Sequence, residues 1–414
     1  MANPLYAAVS GLNAEQTFMS VVSQNIANVN TVGYKSGSVS FAEALQQTTQ
    51  GATAPTATLG GTNPIQVTAG GAVNVSGTQV NMGQGSLQST GVNTDLAVQG
   101  SGFFVVQTPQ GLAYTRAGNF SLDANGNLVN PSGDKVLGWT GATVGTKASL
   151  VPLSVPLNGS IAPKATATGT LTGNLASTGK SLSLPLTLYN SLGSQESATL
   201  NFSTTSSAGA VPVYFNSQGA PVSAAVSGGS TWYLSATGTS AGAQSNLTVA
   251  ANGSTITLSG FPAAWNMPGS VSLNYTQMTQ FDSPSTVQVS ANGNASGSLS
   301  SFNFNNAGQI VGTYSNGQTQ VLGQVALAGF NNPAGLTNLG NNLWQTSPNS
   351  GVSQVATPNT GALGSIAAGQ LEESNVSLAG QFVNLIVAQQ GYQANAKVIT
   401  IDQTLSQTLN NAVQ

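Results

Sequence analysis

Cysteine and histidine are both absent from these 414 residues. Disulfides, thiolate metal sites and thiol nucleophiles are thereby excluded, and the commonest general base and metal ligand is missing. Charge is nearly as scarce. Seven Lys and Arg and ten Asp and Glu make up 4% of the chain, against about a quarter in an ordinary soluble protein. A net charge of −3 offers no basic surface for nucleic acid or an anionic membrane. There is no apolar run long enough to span a bilayer and no charged segment leading into an apolar one, so neither membrane insertion nor a cleavable signal peptide is expected. The carboxylates are scattered. Glu372 and Glu373 are neighbours, but successive residues do not face each other on a helix. Near the start of a C-terminal helix they suit its dipole better than acid–base work. The chain therefore does not read as an enzyme, and no catalytic residue, metal site or cofactor is expected. Scarce charge also leaves few groups whose titration could disrupt an assembly in acid.

Glycine, of which there are 50, fills much of the space left by charge, together with abundant Ser, Thr and Asn, while 40% hydrophobic residues still suffice for a core. The strongest patterns lie at the two ends. From Leu378 apolar residues recur at helical steps through Phe382, Leu385, Ile386, Tyr392 and Ile399, then Leu405 and Leu409. Residues 376–413, if wholly helical, would run about 55 Å. At the other end Leu5, Val9, Leu12, Met19, Val22 and Ile26 follow the same spacing, with Asn3 as a candidate N-cap and Pro4 at the first helical position. Two terminal stripes suggest an antiparallel, coiled-coil-like pair, although Gln16 and Gln389 interrupt the seam. The competing reading is that each helix packs on its own domain.

Between them the chain looks mainly β. Phe120-Ser-Leu-Asp123-Ala-Asn-Gly126 recurs in outline at Asn305 to Gly308 and more loosely at Asn216 to Gly219. Asp or Asn three residues before Gly suits a type I turn in a hairpin. A calcium loop at Asp123 is the alternative, but its distal bidentate Glu is missing. From 149 to 281 only Lys164, Lys180 and Glu196 are charged, and short strand-like runs alternate with Gly- and Ser-rich turns. That composition suggests a β-sandwich or barrel inserted into a discontinuous core domain. The expected division is an N-terminal helix at 1–30, an extended linker at 31–70, core at 71–145 and 282–370, an outer β-domain at 146–281 and a C-terminal helix at 371–414.

Asn25-Ile26-Ala27-Asn28, with Thr31, Gly33, Tyr34 and Lys35, reads physically as a helix stop: Gly33 supplies a positive φ and Tyr34 turns back onto the helix end. These residues resemble the signature of the bacterial flagellar rod and hook axial proteins. Thr94 to Trp139, with Tyr-Thr-Arg-Ala-Gly-Asn-Phe from Tyr114, is similar to the family's core domain, and Leu-Glu-Glu-Ser-Asn-Val from Leu371 and the segment from Phe382 are similar to its C-terminal helix. Within the family, the extra β-domain resembles the hook type rather than the shorter distal-rod type.

The resemblance implies a structural subunit that self-assembles into a curved helical tube, with the stripe residues of the two terminal helices named above as its polymerisation contacts, passing torque from rod to filament and conducting exported subunits. Its expected partners are further copies of itself, the rod, the hook cap, hook–filament junction proteins and the flagellar type III export apparatus. Its expected place is outside the cell, at the base of the filament. Phe41 and Leu45, at i and i+4, form a candidate short docking helix for export, or simply pack on the core domain. A distal-rod-like role is the nearest alternative. A secreted β-rich adhesin is the more distant one, and it would require Trp232, Tyr233 and Trp265 to form an exposed aromatic patch.

Overall fold

The computed structural model describes residues 4–43, 46–50, 65–68, 73–140, 150–179, 181–225, 227, 229–240 and 243–413. They fall into two compact units, one of residues 1–156, 302–311 and 321–414, the other of residues 157–301 and 312–320. Strand dominates both, and helix is concentrated in α1, Pro4–Ala27, and α2, Leu378–Val413.

The first unit is built on the run Phe103-Phe104-Val105-Val106, whose four side chains are all buried. Side chains alternate across a strand, so such a run must be covered on both faces. Phe103 and Val105 enter a cluster with Tyr114, Trp139 and Trp344. Phe104 meets Phe120 edge-on, with ring centroids 5.1 Å apart. The strand Phe103–Thr108 pairs antiparallel with Gly111–Thr115, Lys135–Trp139 and Leu327–Gly329. Two short pairs also belong to the unit: Leu96–Gln99 with Ser365–Ala368, and Leu87–Ser89 with Gln370–Glu372.

In the second unit one sheet of ten strands surrounds a single apolar core. Gln195–Ser203 shows the logic: Ala198, Leu200 and Phe202 point inward between partly exposed polar neighbours. Pairing is antiparallel except between Thr168–Asn174 and Ser270–Thr279, which run parallel. Trp232 and Trp265 are each only 1% exposed and Tyr233 is half-buried. Both indoles lie in the core with Phe202 and Phe215. The exposed aromatic patch that an adhesin required is therefore not formed by these residues.

The turn repeat is present. Gly126, Gly308 and Gly219 donate their N–H groups to the carbonyls of Asp123, Asn305 and Asn216 at 2.9, 2.8 and 2.9 Å, each at positive φ. The Asp or Asn side chain reinforces each turn; Asn305 Oδ1 accepts the N–H groups of Ala307 and Gln309, both at 3.0 Å. Two further copies, Asn130 to Gly133 and Asn190 to Gly193, escaped the sequence reading. Asp123 Oδ1 accepts the N–H groups of Asn125 and Asn127, and Oδ2 accepts Asn127 Nδ2. This commits both carboxylate oxygens to the turn.

Three placements differ from the sequence reading. The chain leaves the first unit after residue 156, not 145, because Leu153 and Val155 are bound in: Leu153 donates to Val136 O and Val155 to Gly126 O. It returns at 302, not 282, because Gln288–Ala291 adds an edge strand to the second unit's sheet through Thr168–Asn174. In the stretch read as a linker, Gly37–Glu43 pairs antiparallel with Val73–Val80, and Gln46–Gln50 with Ile65–Thr68. Asn3 and Leu45 lie outside the described residues.

Candidate functional site at the helix–core junction

Helix α1 ends where the asparagines begin. Asn25 is buried, and its carboxamide ties four groups together. Nδ2 donates to Gly37 O at 2.8 Å and to Gln381 Oε1 at 3.1 Å, and Oδ1 accepts the Gly37 N–H at 2.8 Å and the Tyr34 hydroxyl at 3.2 Å. Thr31 donates to Asn28 Oδ1 at 3.1 Å, closing the turn beyond the helix, where Ile26 is half-buried and Ala27 exposed. Gly33 has φ +69°, and its N–H reaches Glu372 O at 2.7 Å. A Cβ there would lie 2.6 Å from the backbone nitrogen of Ala117, so both conformation and space demand glycine.

Beyond Gly33, three of the chain's few charges meet out of water. Lys35 Nζ lies 2.6 Å from Glu372 Oε1, and Arg116 Nη1 lies 3.2 Å from Glu372 Oε2. Further bonds go to the backbone: Lys35 donates to Gly83 O, Arg116 to Val98 O and Gly100 O, and Glu372 Oε1 accepts the Gly85 N–H, while the buried Arg116 Nε is left without a partner. Phe103 lies under the Arg116 guanidinium at 5.4 Å. Burial pushes Lys35 below the usual lysine range and the neighbouring Arg116 pushes the same way, while Glu372 opposes both. Burial likewise lowers Arg116. Asn375 completes the junction, accepting the Ser36 N–H at 2.8 Å and donating to Asn81 O and Gly83 O. The chain on its way out of α1, the core and the chain on its way into α2 thus converge on one carboxylate.

Glu372 therefore does not sit at a helix start. It ends the strand Gln370–Glu372, and α2 begins only at Leu378; Glu373 is exposed. Sequence reasoning singled out Lys35, read Glu372 only as a helix-start carboxylate and gave Arg116 and Asn375 no role, although each lies in a stretch that carried the resemblance.

The helices are antiparallel: Gly11 faces Asn395, Glu15 faces Gly391 and Asn25 bonds Gln381. A Cβ on Gly11 would lie 2.6 Å from Asn395 Nδ2, and one on Gly391 would lie 2.5 Å from Glu15 Oε1. Small and polar residues thus contribute closely to the seam, with Ala388 fully buried between Gln381 and Asn395. Of the apolar stripe in α1, Val22 is buried, Leu5, Leu12, Met19 and Ile26 are half-buried and Val9 is exposed. In α2, Leu385 and Ile399 are half-buried, whereas Leu378, Phe382, Ile386, Tyr392, Leu405 and Leu409 are exposed. Most of the apolar row of α2 is therefore exposed beside α1, while Leu385 and Ile399 are partly covered. Phe41 lies on the strand Gly37–Glu43, not on a docking helix, and meets Phe18 of α1 edge-on at 6.0 Å.

Partial burial at the seam raises the Glu15 carboxyl above the usual range. A raised carboxyl favours the protonated form in the folded pair, so this contribution is present at low pH and lost as pH rises through the folded pKa. Helicity of the full chain, followed by circular dichroism during melting, should be lost at a lower temperature at about pH 7 than at about pH 4 through this group. Glu15→Gln should remove that part of the difference; an unchanged pH profile would show that the carboxyl does not sense the pair.

No helix among the described residues is long and apolar enough to cross a membrane, and no group of three or more acidic residues there could hold a metal. Three family profiles match: "Flagella basal body rod protein" over residues 5–35, "Flagellar hook protein FlgE/F/G D1 domain" over 97–163 and "Flagellar basal body rod FlgEFG protein C-terminal" over 367–412. Among curated relatives, the flagellar hook protein FlgE of Treponema pallidum is 34% identical, covering 99% of each chain. That of Salmonella typhimurium is also 34% identical, over 97% of this chain and 98% of its own. The crystal structure of Helicobacter pylori flagellar hook protein FlgE2 aligns with TM-score 0.47 and 13% identity, over 69% of this chain and all of that one.

Proposed function

The chain belongs to the flagellar hook protein family, and on that premise we propose that it is a structural subunit of the hook, polymerising with its own copies through the outward face of α2. The supporting observation is that face. Phe382, Ile386, Leu405 and Leu409 are 51%, 54%, 62% and 67% exposed, although α2 is already paired with α1. Val383, Val387, Val398 and Ile401 extend the same apolar surface. Covering what remains exposed of these side chains is worth about 1 kcal/mol each, on a scale of 1.5–3 kcal/mol for full burial. A contact of this kind, made by one face on a different face of the next copy, repeats without closing and builds a helical tube.

In this reading the tube carries torque between rod and filament and conducts exported subunits. Its ends meet rod, cap and junction proteins, and its subunits leave the cell through the flagellar type III export apparatus. Outer surfaces poor in charge have few ion pairs to break when neighbouring copies slide during bending.

The test is assembly of the purified full chain, followed by sedimentation and electron microscopy, with limited proteolysis of monomer and polymer. Curved tubes whose formation protects α2 from a nonspecific protease are expected. Persistent monomers under all assembly conditions, or tubes in which α2 stays as cleavable as in the monomer, would overturn the proposal.

A further inference from the structure

Five Asn-Gly pairs occur in the chain, at Asn125, Asn158, Asn252, Asn292 and Asn316. Glycine after asparagine leaves the next backbone nitrogen unhindered for attack on the carboxamide carbon. The structure separates the five. Asn252 Oδ1 accepts the Thr255 N–H and hydroxyl at 2.9 and 2.8 Å. Asn292 Oδ1 accepts the N–H groups of Ala167 and Thr168 at 3.0 and 3.1 Å. Asn316 Nδ2 donates to Ala295 O at 2.7 Å, and the Gly317 N–H is held by Tyr314 O at 2.9 Å. Asn125 has an exposed carboxamide, but the Gly126 N–H is bound to Asp123 O at 2.9 Å.

Asn158 differs from all four. It is exposed in the turn that precedes the strand Ser160–Ile161. Among the described residues, neither its carboxamide nor the Gly159 N–H has a hydrogen-bond partner. On the far side the chain is held: Gly159 O accepts the Leu299 N–H at 3.0 Å, and Ser160 pairs with Ser298. Both reacting groups are thus free, next to an anchored strand.

We propose that Asn158-Gly159 is a site of spontaneous deamidation in the folded protein. The Gly159 nitrogen gives its proton to solvent base and attacks Asn158 Cγ. A C–N bond forms, the Cγ–Nδ2 bond breaks, and the carboxamide nitrogen leaves as ammonia after taking up a proton. Water then opens the cyclic imide at either carbonyl, leaving aspartate or isoaspartate, with no change of oxidation state. The product adds a carboxylate to a chain that has ten acidic residues, and the isoaspartate form inserts one extra carbon into the backbone of this turn. The inference rests on the second unit's local geometry and not on the assembly proposed above.

Each hydrogen bond that must break before attack costs about 1 kcal/mol, so the other four pairs should trail Asn158 by about fivefold or more. The full chain is incubated at neutral pH in heavy-oxygen water, digested, and mapped by mass spectrometry with fragmentation that separates isoaspartate. Label should enter Asn158 first. Gly159→Ala should slow it there without altering the other four, and in denaturant the five rates should converge. Folded Asn158 reacting no faster than the other pairs would overturn the proposal. So would an unchanged ranking in denaturant, which would trace the difference to neighbouring sequence instead of the fold.

Discussion

Glu372→Gln should lower the unfolding free energy by about 3–5 kcal/mol, the usual cost of stripping one partner from a buried ion pair. The change is nearly isosteric and keeps an acceptor for the Gly85 N–H, so the loss is chiefly one of charge. Lys35 and Arg116 would remain buried, without their counter-ion. Lys35, already depressed by burial, should then lose its proton at a still lower pH, because the carboxylate that now holds it up is gone. Denaturant titration measures the stability. Hydrogen exchange should place the greatest loosening at Gly33, Gly85 and Asn375, whose bonds converge on this point. Adding Lys35→Met to Glu372→Gln should recover part of the loss, since one of the two stranded charges is then removed. Wild-type stability in Glu372→Gln would show that the cluster is solvated in solution and contributes nothing to the junction.

Ile386→Asp combined with Ile401→Asp should raise the critical concentration for assembly by about a hundredfold or more, while leaving the monomer's melting unchanged. Both side chains are already about half exposed beside α1, so the monomer loses little packing. In the polymer each would exchange apolar burial worth about 1 kcal/mol for a carboxylate that must be desolvated at further cost. Two such sites exceed the roughly 2.8 kcal/mol that a hundredfold change represents. Gly11→Val is the contrasting variant. Its side chain would enter the space of Asn395 and should loosen the pair within one chain. Sedimentation gives the critical concentration and circular dichroism the helicity. If the double variant polymerises like wild type, the outward face of α2 is not the contact between copies.

Much of the architecture was legible because it depends on neighbours in sequence. The terminal helices follow from apolar spacing, and the turn at Asp123 from Asp and Gly three residues apart, since that chemistry acts across one turn of chain. The seam between the helices was not legible. Periodicity reports which residues are apolar, and an apolar stripe was assigned to the pair. Gly11, Ala388 and Gly391 carry little such signal, yet they allow the backbones to approach. The hairpin of Gly37–Glu43 with Val73–Val80 was hidden for a related reason, since its sparse apolar residues leave a weak pattern.

By itself, then, the sequence determined a mainly β chain with helical ends, the local turns, the absence of thiol and imidazole chemistry, and the family. Each is set by composition or by residues close together along the chain. Only the tertiary structure decided that Lys35, Arg116 and Glu372 share one buried site across a separation of 337 residues. It also decided that Gln381, Ala388, Gly391 and Asn395 of α2 lie toward α1 while much of its apolar row stays exposed. Both outcomes depend on which groups lose water together, and desolvation is a property of surroundings that a linear pattern does not contain.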